Sequence, residues 1–444
     1  MTRDYYAKRV REWRNREINP VRICHPDPIL LQIGYLNNGF VPVESLDLQI
    51  RNAPFSEPKS AARLHLDDDF VRDAWQYGPG SGFGELLDFV TEVTREIHTP
   101  AASDWATVLD CGTTDGLSKI FHAFIDRGDC VLCEEFTYTP VLSSLACVGG
   151  MTVPVPMDAS GIDPDDLRHL LANWTTLRPG YRFPKMLYTI PSGQNPTGVT
   201  QSFYRRAEVY DVCREFDLLI VEDDPYCYLV LEDFETVDEY KQKVPKSYLA
   251  LDTDGRVLRC ESFSKIFSPG IRLGYIVGTR EFIETLKLYS NAINGPPSGV
   301  SQMVLRSTLE AWGWAPGYYE WLMQISREYR RRLDCAIAFL EKSKLFQMGK
   351  IKFSRPSNGM FLKIDIAVPL DSISGINDSM DSLQHTCHEN GVGIILGRDM
   401  VASEQTSLVA FIRIGVSAVD DAEVLCRGLE RTLRSIEVLG TGKG

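Results

Sequence analysis

Residues 256–278 read RVLRCESFSKIFSPGIRLGYIVG, two strand-like segments separated by a short polar turn. The first segment, RVLRCES, runs directly into Lys265, which stands close to Ser262 and Ser264. A Ser-Pro-Gly break follows, and Arg272 then leads into the second segment, LGYIVG. Nothing on a solvated surface favours a lysine at the end of a strand beside hydroxyls and a second cation, whereas a site for a phosphate group does. The stretch therefore predicts two strands and an anion site between them.

Four further strand-like segments precede this stretch, and each is apolar and bounded by polar or turn residues. They are ATVLDC, DCVLCEE, KMLYTI and DLLIVED, at residues 106–111, 129–135, 185–190 and 217–223. Amphipathic helical segments such as GLSKIFHAFIDRG and SFYRRAEVYDVCREF lie between several of them. This alternation is typical of an α/β fold with a largely parallel sheet, whose strands are continuously apolar because both faces are buried.

The sequence changes in character after residue 315. A long charged helix over 317–342 leads to the segments KFSRPSNGMFLKIDI, VGIILG and FIRIGVS, which predict a smaller α+β domain with antiparallel strands. We expect a cluster of arginines to form the solvent-facing side of this helix: Arg327, Arg330, Arg331 and Arg332. The first 60 residues show little periodicity. We therefore divide the chain into an N-terminal arm (1–60), a large domain (61–315) and a small C-terminal domain (316–444).

Composition excludes several classes of partner. The 444 residues carry a formal net charge of −13, and an acidic chain repels nucleic acid and anionic membranes. No segment approaches the ~20 consecutive apolar residues of a membrane span, and the charged N-terminus is unlike a signal peptide, so we expect a cytoplasmic protein. The 11 cysteines are scattered as is typical of reduced thiols. Cys130 and Cys133 have CxxC spacing but lie within one strand, and no metal site is expected.

Polar side chains follow five successive strands, at the edge of an open α/β sheet where ligands bind. After ATVLDC comes GTTDGLSK, which opens a helix; its free N–H groups suit an anion, although Thr113 or Thr114 could equally be a plain helix cap. The next strand ends carry one candidate each, an aromatic ring, an amide, a carboxylate and the lysine: Tyr138, Asn195, Asp223 and Lys265.

This set matches the requirements of pyridoxal 5′-phosphate, which carries an aldehyde, a phosphate, a ring oxygen and a pyridine nitrogen. A lysine forms a Schiff base with the aldehyde, and a carboxylate keeps the ring nitrogen protonated so that the ring can accept electrons. Arg272 close to Lys265 lowers the pKa of the lysine and favours the reactive amine. We therefore predict pyridoxal 5′-phosphate as the cofactor.

The sequence resembles the fold type I, class I/II aminotransferases, and within them the aromatic and kynurenine–α-aminoadipate subgroup. The matching motifs run in the order of the family from about residue 75 to residue 417: WQYGPGSGFGEL, GTTDGL, EEFTYTP, PSGQNPTG, VEDDPY, SFSK, GIRLGY and FIRIGVS. The resemblance implies a large cofactor-binding domain with a mostly parallel seven-stranded sheet between helices, followed by the smaller α+β domain.

The resemblance also implies a role for each matched residue. Lys265 would bind the aldehyde and move a proton between the substrate Cα and C4′ of the cofactor, and Asp223 would pair with the pyridinium nitrogen, with Asp224 as its structural neighbour. Tyr226 and Asn195 would bind the ring oxygen. Tyr138 would stack on the ring. The phosphate would be held by hydroxyls and one guanidinium: Thr113, Thr114, Ser262, Ser264 and Arg272.

Substrate and partner contacts are implied in the same way. Arg413 would clamp the substrate α-carboxylate bidentately, beside Asn195. Tyr77 would reach the phosphate of a partner subunit, which implies a homodimer with shared active sites. The family has a Gly-Gly-x-Pro-Asn motif over the substrate, and the corresponding run LNNGFVP (36–42) keeps only part of it. Gly39 in that run is the remaining substrate-binding candidate.

We therefore expect an aminotransferase that exchanges the amino group of an aromatic or bulky hydrophobic L-amino acid with a 2-oxo acid. A C–S lyase that eliminates thiol from a cysteine conjugate stays open, because both reactions need Lys265 as the base. A DNA-binding regulator built on the same fold is disfavoured, because the first ~60 residues show neither a basic patch nor a helix-turn-helix pattern.

Overall fold

The computed structural model describes residues 4–14, 34–367, 373–403 and 409–439, and part of the predicted N-terminal arm therefore lies outside the described residues. Its strands, in chain order, are β1 (Ser45–Ile50), β2 (Ser60–His65), β3 (Trp105–Asp110), β4 (Cys130–Glu134), β5 (Met151–Val155), β6 (Met157–Asp158), β7 (Gly161–Ile162), β8 (Met186–Thr189), β9 (Leu219–Asp223), β10 (Val257–Ser262), β11 (Gly274–Thr279), β12 (Ile351–Lys352), β13 (Phe361–Ile366), β14 (Ile395–Leu396) and β15 (Phe411–Gly415).

The central sheet has seven strands in the order β3-β11-β10-β9-β8-β4-β5. Every neighbouring pair is parallel except those of β11, which is antiparallel to both β10 and β3. Every residue of β4, β8, β9 and β10 is buried, as expected for strands covered on both faces. The predicted mostly parallel α/β sheet is confirmed.

The seventh strand, β5, is absent from the six segments whose apolar runs predict strands. It reads MTVPV, and its proline interrupts the strand pattern. Proline cannot donate to a ladder and is therefore tolerated at a sheet edge, which is where β5 lies, paired only with β4 in the described sheet.

Helices cover the sheet and connect its strands. The amphipathic pattern of α3 places one face in the core, where Leu86, Val90, Val93 and Ile97 are buried at helical spacing. The helices, in chain order, are α1 (Lys8–Trp13), α2 (Asp69–Ala74), α3 (Gly84–His98), α4 (Thr113–Phe124), α5 (Thr139–Cys147), α6 (Pro164–Ala172), α7 (Trp174–Leu177), α8 (Phe203–Glu215), α9 (Val237–Lys243), α10 (Arg280–Ile293), α11 (Gly299–Trp312), α12 (Ala315–Glu341), α13 (Lys344–Gln347), α14 (Ile373–Glu389) and α15 (Ala422–Leu439).

A second, antiparallel sheet with the order β12-β13-β15-β14 forms the smaller C-terminal part, as predicted. Helix α12 belongs to both parts. Tyr318 and Leu322 from its first half pack into the core of the large sheet, whereas Leu333 and Leu340 pack into the core of the small one. The long helix therefore joins the two cores.

Arg332 differs from the prediction that the arginines of α12 face solvent. Its side chain is 2% exposed and donates hydrogen bonds to the backbone oxygens of Ser417, Val419 and Asp420, at 3.2, 2.5 and 2.9 Å. It also pairs with Glu328. The guanidinium stays buried because its N–H groups find acceptors in the loop that enters α15.

The described N-terminal residues pack against the large part. Tyr5, Tyr6 and Val10 are buried in its core, and β1 pairs with β2 in an antiparallel hairpin that spans the predicted boundary between residues 60 and 61. Among the helices of the described ranges, none has both the length and the apolar character needed to cross a membrane.

Candidate active site

A cavity of about 420 Å³ opens at the carboxyl ends of the central strands, and Ile190, Pro225 and Phe361 form part of its wall. The register explains the convergence: β9 and β10 are parallel and Cys260 pairs with Asp223, so both strands end at the same edge. The cavity brings together most of the predicted site residues: Thr113, Thr114, Tyr138, Asn195, Asp223, Tyr226, Ser262, Ser264, Lys265, Arg272 and Arg413.

Asp223 forms the acidic end of the cavity at the last position of β9. The Tyr188 hydroxyl donates to its Oδ2 at 2.7 Å, while Oδ1 is buried and has no hydrogen-bond partner among the described residues. Burial raises the pKa of Asp223 to about 7, and the hydrogen bond from Tyr188 opposes that rise. A buried acceptor without a partner is costly, so this oxygen is suited to a donor on a ligand.

Asp224 points to the opposite face of the sheet, because successive side chains of an extended chain alternate. Its Oδ2 accepts hydrogen bonds from Ser192 Oγ at 2.9 Å and from Arg259 at 3.0 Å. Arg206 and Arg259 are both fully buried and also pair with Glu222. The second carboxylate of the pair is therefore part of a buried ion network behind the cavity.

Lys265 is half-buried in the cavity wall, directly after the end of β10. Burial lowers its pKa, and the charges of Arg413 and Arg272 lower it further, while Asp223 opposes them. The environment therefore increases the fraction of neutral amine, the form in which a lysine acts as nucleophile or base.

The anion end of the cavity lies where β3 leads into α4. Gly112 precedes the helix with a φ of 95°, and Thr113 is the first helical residue. Arg272 donates to the Cys111 oxygen at 3.0 Å and to Ser264 Oγ at 3.4 Å, which fixes its guanidinium beside the helix N-terminus. Thr113 Oγ1 is buried and unpaired within the described part of the chain. Helix dipole, hydroxyls and guanidinium together favour a phosphate here.

Arg413 enters the cavity from the small sheet, in β15. It donates to Asn195 Oδ1 at 2.6 Å and lies over the Phe361 ring, with 4.4 Å between Cζ and the ring centroid. Its Nε is buried and finds no acceptor in the ranges that the structure describes. An unpaired guanidinium N–H in an apolar wall is suited to a carboxylate of the substrate.

Met360 and Phe361 also line the cavity, although no motif in the sequence marks them as site residues. They belong to the segment KFSRPSNGMFLKIDI, whose alternation predicts only a strand. Phe361 also packs edge-on against Tyr226, with 5.5 Å between ring centroids. The Asn-Gly dipeptide before Met360 is the one local signal that this strand begins at a turn, and it does not indicate which cavity the turn faces.

Tyr77 and Gly39 do not line this cavity within one subunit. Tyr77 is 75% exposed, and Gly39 lies in the 3-10 turn Asn38–Phe40, also exposed. Their two segments lie together on the surface, because Gln76 Nε2 donates to Asn38 Oδ1 at 2.6 Å and the Tyr35 and Tyr77 rings are 5.6 Å apart. The structure therefore places these two predicted site residues on neighbouring surface segments, outside the cavity.

The groups of the cavity fit pyridoxal 5′-phosphate. The unpaired Oδ1 of Asp223 suits a pyridinium N–H, and the cradle of Thr113 and Arg272 suits a phosphate. Lys265 lies in the same cavity, as a Schiff-base lysine requires. The unpaired Nε of Arg413 remains for a substrate carboxylate.

Comparison with known proteins gives concordant matches. The sequence pattern of the family described as Aminotransferase class I and II matches residues 47–430. Aromatic amino acid aminotransferase 2 of Saccharomyces cerevisiae is 33% identical, over 91% of this chain and 89% of its own. L-tyrosine:2-oxoglutarate aminotransferase atrD of Tapinella panuoides is 32% identical, over 80% of this chain and 73% of its own. The crystal structure of the aromatic aminotransferase Aro9 from C. Albicans has a TM-score of 0.92 at 32% identity, covering 98% of both chains.

These relatives are named as aminotransferases, so the comparison supports amino transfer and not the C–S lyase alternative. The cofactor is pyridoxal 5′-phosphate, as the sequence predicts. The fold type I architecture is also confirmed. The chain therefore belongs to the class I and II aminotransferases.

Proposed function

We propose that this aminotransferase moves the amino group of an aromatic or bulky hydrophobic L-amino acid to a 2-oxo acid. The observation that carries the proposal is the position of Arg413, whose guanidinium lies on the ring of Phe361 in a cavity that Met360 also lines. A carboxylate held by this arginine leaves the substrate side chain among aromatic and apolar groups. The names of the relatives, which include aromatic and tyrosine aminotransferases, support the same substrate class.

Different residues of the chain have different roles in the proposed reaction. When bound, pyridoxal 5′-phosphate supplies an aldehyde and an electron-accepting ring. Lys265 would act as the base that takes the proton from Cα of the amino acid and, as its conjugate acid, would return it to the cofactor carbon, which is the choice that leads to amino transfer. Asp223 keeps the ring nitrogen protonated, and Tyr226 and Asn195 hold the ring oxygen. Arg413 fixes the α-carboxylate so that Cα lies within reach of Lys265.

Phosphate and ring contacts orient the cofactor. The phosphate is bound at the N-terminus of α4 by the hydroxyls and the guanidinium of the anion end. These residues are Thr113, Thr114, Ser262, Ser264 and Arg272. Tyr138 stacks on the ring. These contacts keep the reacting atoms aligned while Lys265 moves between two proton positions.

The functional unit is a homodimer in which Tyr77, and the segment containing Gly39, act on the cavity of the partner subunit. Support comes from the exposure of Tyr35, Phe40 and Tyr77, at 53, 73 and 75%, on adjoining segments outside the cavity of their own subunit. Exposed aromatic side chains that lie together indicate an interface. The partners are small molecules, an amino acid and a 2-oxo acid.

Two further assignments belong to the same proposal. The division into arm (1–60), large domain (61–315) and small domain (316–444) is supported by the separate core of the small sheet, with α12 shared between the cores. A cytoplasmic location is supported by the cysteines, which are free throughout the described residues, including Cys130 and Cys133 in the buried strand β4.

A half-reaction tests the substrate class. Single amino acids are added to the cofactor-loaded enzyme without any 2-oxo acid, and the visible absorption of the lysine-bound cofactor is followed. Tyr, Phe and Trp are expected to convert it to the absorption of the aminated cofactor faster than Ala or Asp does. Faster conversion by Asp than by any aromatic amino acid would contradict the proposed substrate. Lys265→Ala is the control, which should lack both the visible band and turnover.

A further inference from the structure

Tyr188 is a fully buried tyrosine in the middle of the central sheet, and the catalytic scheme above does not use it. It lies in β8, in the apolar segment KMLYTI, and is 0% exposed. In the parallel register of β8 and β9 it pairs with Val221. Because residues two apart share a face, Tyr188, Val221 and Asp223 all point to the same side of the sheet. The strand register thus directs the phenol toward the carboxylate.

The hydrogen bond between these two residues is short and buried. The distance from Tyr188 Oη to Asp223 Oδ2 is 2.7 Å, and Asp223 is 4% exposed. With Oδ2 occupied, the second oxygen of Asp223 is fixed in the cavity wall, where it has no described partner. A hydrogen bond from a neutral donor to an ionised acceptor in a low-dielectric interior is stronger than a neutral pair. The phenol of Tyr188 therefore restricts rotation of the Asp223 carboxyl group and favours its ionised form.

The surrounding charges do not replace this hydrogen bond. Lys265 and Arg259 favour the ionised carboxylate, whereas the neighbouring Asp224 and the buried Glu134 oppose it. Arg259 is itself engaged by Asp224 and Glu261 on the other face of the sheet. On the face of the sheet that carries Asp223, the donor that the structure shows is Tyr188.

We propose that Tyr188 is a positioning residue, which holds Asp223 through Oδ2 so that Oδ1 is presented, ionised, to the pyridine nitrogen of the cofactor. The inference rests on the proposed role of Asp223. It extends that role to a residue behind the cavity wall, on the preceding strand of the chain. Without the phenol, the carboxyl group can rotate or take up a proton, and the ring nitrogen loses its charged partner.

The test uses four cofactor-loaded variants: Tyr188→Phe, Asp223→Asn, the double variant, and Tyr240→Phe. Tyr240 is a matched control, because it is also fully buried and its hydroxyl donates at 2.7 Å, but to the backbone oxygen of Tyr228. The measurements are the equilibrium dissociation of the cofactor and the pH titration of its visible absorption. Thermal unfolding midpoints verify that the variants remain folded.

Tyr188→Phe is expected to weaken cofactor binding by about 10-fold, the equivalent of one hydrogen bond to a charged group. It should also raise the midpoint of the pH titration, because a ring nitrogen that has lost its proton no longer repels a proton on the Lys265 nitrogen. Tyr240→Phe should leave both values within about 2-fold of wild type. In the Asp223→Asn background, Tyr188→Phe should add no further change.

Wild-type values in Tyr188→Phe, or an effect that persists undiminished in the double variant, would overturn the proposal. If Asp223→Asn itself changes neither measurement, the proposed role of Asp223 fails instead, and the two failures are thereby distinguished. If Tyr188→Phe does not fold, a fluorinated tyrosine placed at position 188 keeps the shape and is a stronger donor. It should lower the titration midpoint, and no shift would count against the proposal.

Discussion

Arg413 is the residue on which recognition of the substrate carboxylate depends in the proposed mechanism. Its guanidinium donates one N–H to Asn195 and lies over the ring of Phe361, and its buried Nε has no partner among the described residues. Lysine would keep the charge but lose the fork and the stacking. Arg413→Lys is therefore expected to weaken amino-acid binding by at least about 10-fold while leaving the cofactor absorption unchanged. Saturation of the half-reaction measures this binding, and Arg427→Lys, an exposed arginine on α15, should behave like wild type.

Asp110 gives the protein a pH dependence of its own. It is buried at the end of β3, where its Oδ1 accepts a hydrogen bond from the Gly112 N–H at 2.8 Å and its Oδ2 has no partner among the described residues. Burial raises its pKa from the ordinary 3.8 to about 7, which Asp115 reinforces and which Lys119 and Arg272 oppose. At a pH between these two values, Asp110 therefore carries a proton in the folded protein and has released it in the unfolded chain.

The sign follows from this difference in protons. Stability from Asp110 is complete below its unfolded pKa and is lost as the pH rises through about 7. Asparagine does not titrate, so Asp110→Asn avoids this loss. The thermal unfolding midpoint of Asp110→Asn minus that of wild type should therefore be larger at about pH 8 than at about pH 5. The free energy of unfolding changes by on the order of 1.4 kcal/mol for each unit by which the pKa of the folded state differs from that of the unfolded chain. Thermal unfolding of both cofactor-free proteins at the two pH values is the measurement, and a difference that is constant with pH would contradict the assignment.

Local sequence and distant contacts contributed differently to what could be predicted about single residues. Lys265, Asn195 and Asp223 follow apolar strands within short motifs, so their meeting at one sheet edge follows from the chain alone. Tyr188 carries no such signal, because its partner is 35 residues away and a tyrosine in an apolar strand is an ordinary core residue. The charge pattern of α12 predicts that Arg332 faces solvent, and it cannot indicate the true acceptors because they lie 85 or more residues away.

At the scale of elements, the turn from β3 into α4 shows how backbone conformation shapes the anion site. Gly112 has a φ of 95°, and a Cβ at this position would lie 2.7 Å from Nη2 of Arg272. Gly112→Ala therefore strains the backbone and displaces the guanidinium. Cofactor binding should weaken by about 10-fold or more.

Gly84 offers a matched control for this prediction. It also stands at the start of a helix, α3, and a Cβ there meets nothing within 4 Å. Gly84→Ala is expected to bind the cofactor like wild type. Equilibrium titration of both cofactor-free variants with pyridoxal 5′-phosphate compares them directly. Equal affinities for Gly112→Ala and Gly84→Ala would show that the strained turn does not position Arg272 for the phosphate.

The same scale explains which elements the sequence predicts. Six strands of the central sheet are evident as apolar runs, whereas Pro154 interrupts the apolar run of the edge strand β5 and hides it. Helix α4 is evident in the sequence because Gly112 and Thr113 open an amphipathic run. Helix α8 has almost no amphipathic character, and its start is marked by the N-cap Ser202. Helix α12 packs into both cores, and the sequence does not predict this. A helical pattern indicates which face is apolar but not which element covers that face.

At the scale of the whole molecule, the cavity of the candidate active site is lined by residues from both the large and the small sheet. The large sheet supplies Asp223 and Lys265, and the small sheet supplies Arg413, whose hydrogen bond to Asn195 joins the two. Within one subunit this leaves Tyr77 outside the cavity, 75% exposed. A twofold-symmetric dimer would use the same surface of both subunits and so complete two identical sites at once.

Active-site complementation tests this arrangement. Lys265→Ala is expected to be inactive alone, because it lacks the lysine. Tyr77→Ala is expected to be at least about 10-fold less active alone, because the phosphate of the partner's cofactor loses a contact. In a mixed dimer, one site carries both substitutions and the other carries neither, since Lys265 and Tyr77 of one site come from different subunits. Random exchange makes half of the dimers mixed, so activity should recover to about a quarter of the wild-type value. If Tyr77 served its own subunit, both sites of the mixed dimer would stay defective and mixing would restore nothing.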